Sequence, residues 1–168
     1  MTRSDIDIRE AHDADLDHLQ AVRAAAFAPV FASFRSILGD EIADVAQARA
    51  DEEQADYLAS LLAADSKWDV YVAQVSDAIV GFVSVRLDED ARLGEIGLNA
   101  VLPRSSGRGI GTAMYEFVLE RMKEVGIRVA TVSTGGDASH APARRAYEKV
   151  GFTVGIPSVW LCCHLDTV

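Results

Sequence analysis

The sequence predicts an α/β fold of the α+β kind, a mixed sheet flanked by helices, and three observations predict it. Two segments rich in β-branched and aromatic residues are separated by three residues, as in an antiparallel hairpin. A strand, a glycine-rich loop, a helix and a further strand then follow in order. Amphipathic helical patterns lie on either side of these segments. A strand–helix–strand unit closes with a right-handed crossover that makes its strands parallel, so together with the hairpin the sheet must be mixed. The 168 residues fit one domain, 1–168.

Ile6-Asp7-Ile8-Arg9 alternates apolar and polar and reads as a short strand. Asp13 or Asp15 caps a helix in which Leu16, Leu19, Val22, Arg23 and Ala26 step by three and four toward Phe27. Pro29 is expected to end or redirect that helix, with a second short helix from Val30 to Leu38 stopping at Gly39. Ala50 to Ala64 starts acidic and carries Tyr57, Leu58, Leu61 and Leu62 as a buried stripe. Asp69 to Val75 and Ile79 to Leu87 are the hairpin strands around Ser76-Asp77-Ala78. A third strand runs from Arg92 to Leu102, and a helix from Gly109 to Glu124 ends at Gly126. Ile127 to Ser133 is a strand, Thr134 to Asp137 a turn, and Ala141 to Val150 a helix. Phe152 to Ile156 and Val159 to Leu165 read as a final strand pair around Pro157.

Composition narrows the function classes. Hydrophobic residues at 49% and charged residues at 25% are the balance of a globular protein. No uninterrupted apolar run approaches the ~18 residues of a membrane span, so no membrane partner is expected. The acidic N-terminus lacks the basic and apolar regions of a secretory signal, so a cytoplasmic location is expected. Cys162 and Cys163 are adjacent, which ordinary disulfide geometry forbids. Cys162-Cys163-His164 falls on a predicted strand, where neighbours face opposite sides, so it reads as core packing and no metal is expected. The net charge of -10 opposes a nucleic-acid surface. That charge is uneven: Met1 to Ser66 holds 14 acidic and 5 basic residues, a net of -9, and Lys67 to Val168 a net of -1.

The motif that carries chemistry is Val101-Leu102-Pro103-Arg104-Ser105-Ser106-Gly107-Arg108-Gly109-Ile110-Gly111-Thr112. Glycines at a helix start let backbone N–H groups approach an anion, and the helix dipole favours a phosphate there. A P-loop requires Gly-Lys-Ser/Thr, which is absent. A dinucleotide fingerprint is met only loosely by Gly107, Gly109 and Ala113, without the acidic residue about 20 positions on, so a nicotinamide-nucleotide enzyme is disfavoured. No Gly-x-Ser-x-Gly elbow supports a serine hydrolase.

At these residues the sequence resembles the GNAT superfamily of N-acetyltransferases, which bind acetyl-CoA. Val101, Pro103, Gly109 and Gly111 match the family's strand–loop–helix motif, with Ser106 where Gln or Arg is usual. A second block matches at His140-Ala141-Pro142-Ala143 and Tyr147-Glu148-Lys149-Val150-Gly151-Phe152, with His140 in place of Asn. The resemblance implies a mostly antiparallel sheet whose parallel strands, Arg92 to Leu102 and Ile127 to Ser133, splay apart around the cofactor arm. It implies main-chain contacts from Asn99, Ala100 and Val101, and phosphate contacts from Ser106, Gly107, Arg108, Gly109, Ile110, Gly111 and Thr112. It also implies cofactor contacts from His140, Ala143 and Tyr147, with Tyr147 returning a proton to the departing thiolate. Arg144 and Arg145 read as surface residues. An alkylamine is protonated at neutral pH, so a base is needed, and Glu95 on the strand leading to the loop is the candidate.

The implied activity is acetyl transfer from acetyl-CoA to a primary amine, of a small molecule or peptide, by direct attack. The alternative is a non-catalytic acyl-CoA sensor of the same fold, which retention of Tyr147 disfavours. The aromatic run Phe27, Phe31 and Phe34 reads as core, with contact of Phe31 or Phe34 to the acceptor as the alternative. The acidic N-terminal part, expected to border the acceptor cleft, would concentrate a cationic amine. The C-terminal strand pair offers an edge for a homodimer.

Overall fold

A computed structural model describes residues 5–165. Five strands lie in the order β1 (Asp7–Glu10), β2 (Asp69–Val75), β3 (Ala78–Asp88), β4 (Leu93–Val101) and β5 (Val129–Val132). The first four pair antiparallel, and β5 pairs parallel to β4, as the hairpin and crossover require. The helices are α1 (Leu16–Leu38), α2 (Asp40–Ala46), α3 (Ala50–Leu61), α4 (Ile110–Glu124) and α5 (Ala141–Lys149).

Two apolar clusters cover the two faces of the sheet. On one, Leu19 and Val22 of α1 and Leu58 and Leu61 of α3 pack on Val70, Val72, Phe82 and Ala100. On the other, Ile110, Met114, Val118 and Met122 of α4 pack on Val83, Val85 and Ile96, with Tyr147 of α5 joining them. Burying such side chains contributes about 1.5–3 kcal/mol each. Arg23 is 4% exposed and reaches Asp51 of α3 at 2.7 Å, which ties α3 to α1.

One irregularity sets the geometry of the site. Val83 pairs with Asn99 and Val85 with Ile96, so β4 uses three steps where β3 uses two. This bulge reverses the alternation of side chains along β4. Gly94 and Ile96 lie under Met122 on the α4 face. Beyond the bulge Leu98 and Ala100 belong to the α1–α3 face, and Asn99 turns toward α4. The β4–β5 pairing stops at Ile96↔Val132, while β4 continues to Val101. Residues 97–101 therefore border an opening where the parallel strands part.

Three expectations are corrected. Pro29 neither ends nor splits its helix, because α1 runs through it to Leu38. Pro29 and Ala25, whose carbonyl loses its intrahelical donor there, both face solvent, so water can satisfy that carbonyl. At 23 residues α1 is also, among the described residues, the one helix long and apolar enough to cross a bilayer, although here it packs on β3 and β4. The strand pair Phe152–Ile156 and Val159–Leu165 is not formed, and residues 152–164 have no regular structure. A two-residue hairpin loop needs positive φ, which Pro157, locked near -65°, cannot supply. Cys162 and Cys163 are consequently exposed and do not pack in a core.

Candidate active site

The glycine-rich loop leads from β4 into α4. Gly107 and Gly109 have φ of +75° and +82°, a region costly for side chains, and no atom lies within 4 Å of the position of a Cβ on either. Ser106 and Arg108 are exposed beside them, and Ile110 is buried as the first apolar anchor of α4. Gly109 caps the helix without a side-chain acceptor, and the first intrahelical bond runs from Ala113 N–H to its carbonyl at 2.9 Å. The N–H groups of Ile110, Gly111 and Thr112 thus stand at the positive end of a 15-residue helix. An open cradle of amides with this dipole fits the pyrophosphate of a nucleotide cofactor.

Asn99, Tyr115 and Tyr147 meet where the parallel strands part. The Tyr115 hydroxyl donates to Asn99 Oδ1 at 2.7 Å. Asn99 Nδ2 donates to the Gly97 carbonyl at 2.8 Å and to the Tyr147 hydroxyl oxygen at 3.0 Å. The Tyr147 proton is left with a longer bond, 3.2 Å, to Asn99 Oδ1, which a better acceptor can displace. The Tyr147 ring is fixed between Tyr115 and Phe152, with centroids 4.6 and 5.9 Å away. Burial pushes its phenol pKa up, and hydrogen bonding to Tyr115 and, less, to Asn99 only partly offsets this.

His140 and Asp137 form a second group at the start of α5. His140 Nδ1 lies 2.6 Å from Asp137 Oδ1, and the imidazole stacks on Phe34 of α1 at 5.7 Å. Asp137 also accepts from the Ser33 hydroxyl at 2.9 Å and from Ser139 N–H at 3.0 Å. These donors hold its carboxyl well below the usual carboxylate range, although its burial opposes the shift more than any single donor favours it. As an ionised acceptor it fixes the proton of His140 on Nδ1 and leaves Nε2 as the free ring nitrogen. The C-terminal half of α1 is thereby tied to the start of α5.

Not all predicted residues come together. Glu95 precedes the bulge and lies on the α1–α3 face, opposite the hydroxyl network, where Arg86 Nη2 donates to it at 2.6 Å. Arg86 in turn lies over the Trp68 ring at 5.2 Å, and the Glu95 charge raises the pKa of Tyr57 on α3, behind the larger effect of burial. Ala100 is buried, Val101 packs against the α4 cluster, and Ala143 and Thr112 are half-buried. Arg145 is exposed, whereas Arg144 is engaged with the Gly135 and Asp137 carbonyls. The sequence reading missed Tyr115, Asp137, Ser33 and the Asn99 side chain. Only Tyr115 had a local signal, four residues after Gly111 on the same helix face.

The geometry is that of a known fold. A PaiA N-acetyltransferase from Thermoplasma acidophilum, solved with coenzyme A, superposes with a TM-score of 0.68 over 94% of each chain at 18% identity. Aminoglycoside N-acetyltransferase AAC(6')-Iy in complex with CoA gives 0.64 over 94% of each chain at 16% identity. In sequence, mycothiol acetyltransferase of Streptomyces griseus is 31% identical over 83 residues, 49% of this chain and 26% of that protein. The Sanguibacter keddieii mycothiol acetyltransferase is 34% identical over 87 residues, 49% of this chain and 27% of its own length. The match thus spans about a quarter of each of these relatives. The model of the acetyltransferase (GNAT) family matches residues 32–152, from within α1 through the Tyr147 block, and the chain belongs to that family.

Proposed function

We propose that the protein transfers an acetyl group from acetyl-CoA to a primary amine by direct attack in a ternary complex. The observation that carries this reading is the bulge in β4, which puts Glu95 and the Tyr147 hydroxyl on opposite faces of the same strand, next to the opening. The cofactor supplies an activated thioester. The amides of residues 110–112 bind its pyrophosphate, and the unpaired edge of β4 from Asn99 to Val101 aligns its arm. Glu95, held by Arg86, takes the proton of an amine entering from the α1–α3 face. Tyr147, kept protonated by burial and aimed by Asn99, gives its proton to the thiolate on the other face. Attack on one side and departure on the other need no covalent enzyme intermediate.

The neighbours solved with CoA support acyl-CoA as the donor, and the aminoglycoside acetyltransferase solved with sisomicin, 18% identical, favours a small-molecule amine as acceptor. The test is release of free CoA from acetyl-CoA with polyamines, amino acids, aminoglycosides and peptides as acceptors. Amine-dependent release is expected. Tight acetyl-CoA binding without turnover on any amine would establish the sensor reading instead.

A further inference from the structure

Tyr115 lies early in α4, on the face that buries Ile110, Met114, Val118 and Met122, and is itself 3% exposed. An aliphatic side chain would pack on that cluster with no hydroxyl to satisfy, whereas a buried phenol must find a partner. Its partner is Asn99 Oδ1 at 2.7 Å, the shorter of two hydroxyl bonds to that atom, the other coming from Tyr147 at 3.2 Å. Burial, and after it the neighbouring Tyr147, push the Tyr115 phenol pKa up, so this donor keeps its proton throughout the neutral range.

The backbone fixes which way the Asn99 amide faces. The Gly97 carbonyl only accepts, so the atom 2.8 Å from it is Nδ2, and Oδ1 is the atom left for the two phenols. Nδ2 also donates to the Tyr147 oxygen at 3.0 Å. That oxygen therefore accepts from Asn99 while its own proton competes with Tyr115 for Oδ1. A carbonyl already engaged by one short donor is a poorer acceptor for a second, and 3.2 Å is long for an O–H···O bond. The Tyr147 proton is thus more weakly held than that of Tyr115. Without the Tyr115 hydroxyl, Oδ1 would be open to Tyr147 and would hold that proton against the protein.

We propose that Tyr115 is a positioning residue for proton transfer, which by occupying Asn99 Oδ1 keeps the Tyr147 proton free for the departing thiolate. In that step the Tyr147 O–H bond breaks and an S–H bond forms on CoA. The electron pair stays on the Tyr147 oxygen, which accepts from Asn99 Nδ2 until it recovers a proton from solvent. Tyr115 keeps its own proton throughout and acts only through Asn99. This inference rests on the reading of Tyr147 as the acid.

Kinetics of Tyr115→Phe in two backgrounds, with an amine that the wild type acetylates, test this. In the wild-type background the substitution is expected to lower kcat about tenfold, a share of what a general acid contributes, with KM for acetyl-CoA and the thermal midpoint little changed. In the Tyr147→Phe background it is expected to leave the remaining rate unchanged, because no proton is left to free. Tyr115→Met, which fills the site without a hydroxyl, should give the same pattern and takes the place of Tyr115→Phe if that variant is unstable. Nuclear magnetic resonance of protein labelled at tyrosine Cζ reads the network without turnover. The Tyr147 signal, one of four and assigned by its loss in Tyr147→Phe, is expected to move downfield in Tyr115→Phe as the phenol donates to Asn99. An unchanged kcat in Tyr115→Phe, an equal loss in both backgrounds, or an unmoved Tyr147 signal overturns the inference and leaves Tyr147 as the acid. A Tyr147→Phe variant as fast as the wild type overturns the acid reading itself, and the inference falls with it.

Discussion

Tyr147 shows how one side chain acquires a chemical role from its surroundings. A free phenol titrates near 10. Burial moves the Tyr147 pKa upward, so the group stays protonated from pH 6 to 9 and contributes no alkaline limb to the rate in that window. Tyr147→Phe keeps the ring between Tyr115 and Phe152 and removes only the proton. It is expected to lower kcat by about a hundredfold or more, the usual contribution of a general acid, with little change in KM for acetyl-CoA. Because the wild-type donor does not titrate between pH 6 and 9, the ratio of the two rates should be constant across it. A ratio that shrinks toward pH 9 would show a donor with a lower pKa than burial allows. Tyr147 was legible from the motif Tyr-Glu-Lys-x-Gly-Phe. Its partner Asn99 was legible only as backbone, because which way its side chain points depends on an extra residue in β4 that leaves no mark in composition.

At the scale of elements, periodicity located the five strands and helices α1, α3, α4 and α5 but not the short α2, and it failed where solvent or tertiary context outweighed a local rule. Pro29 breaks helices in general and not here, because its missing donor belongs to an exposed turn. The segment 153–165 has the composition of strands, but strand composition does not create a partner. Asp15 stands at the N-cap of α1 but, contrary to the sequence expectation, its side chain makes no capping bond to the helix. Asp15 accepts from Arg9 of β1 at 2.7 and 3.0 Å and from His12 N–H at 2.9 Å, joining the first strand to the first long helix. Arg9, ahead of the smaller His12 contribution, brings the Asp15 pKa down to about 2 against an opposing effect of burial. A carboxyl lowered on folding stabilises the fold fully above its unfolded pKa, near 4, and loses that contribution as pH falls toward 2. Asp15→Asn should therefore cost about 1–2 kcal/mol at pH 7, the worth of a charge-assisted hydrogen bond. The deficit relative to wild type should close between pH 4 and 2. Urea midpoints of both proteins at pH 7, 4 and 2.5 check this, and a deficit that persists undiminished at the lowest pH would assign the loss to packing.

Across the whole molecule, charge divides as the chemistry does. The part from Lys67 onward, which holds the phosphate cradle, is nearly neutral, whereas Met1 to Ser66 carries a net of -9. Much of that acidity sits on α2 and the first turn of α3, where Asp40, Glu41, Asp44, Glu52 and Glu53 are exposed. The α3 helix also brings Tyr57 within the field of Glu95, so its acidic start belongs to the side from which the proposed acceptor approaches. A field of one sign over an approach path raises the encounter rate with a cation and is screened by salt, with a Debye length of about 10 Å at 0.1 M. For a polyamine acceptor, kcat/KM should fall severalfold between about 25 and 300 mM salt, while for an acceptor uncharged at the assay pH it should stay flat. Glu52→Gln with Glu53→Gln should reproduce part of that fall at low salt and leave kcat unchanged, since both residues are remote from the hydroxyl network. Equal salt dependence for both acceptors would mean that the acidic half keeps the protein soluble and does not select its substrate.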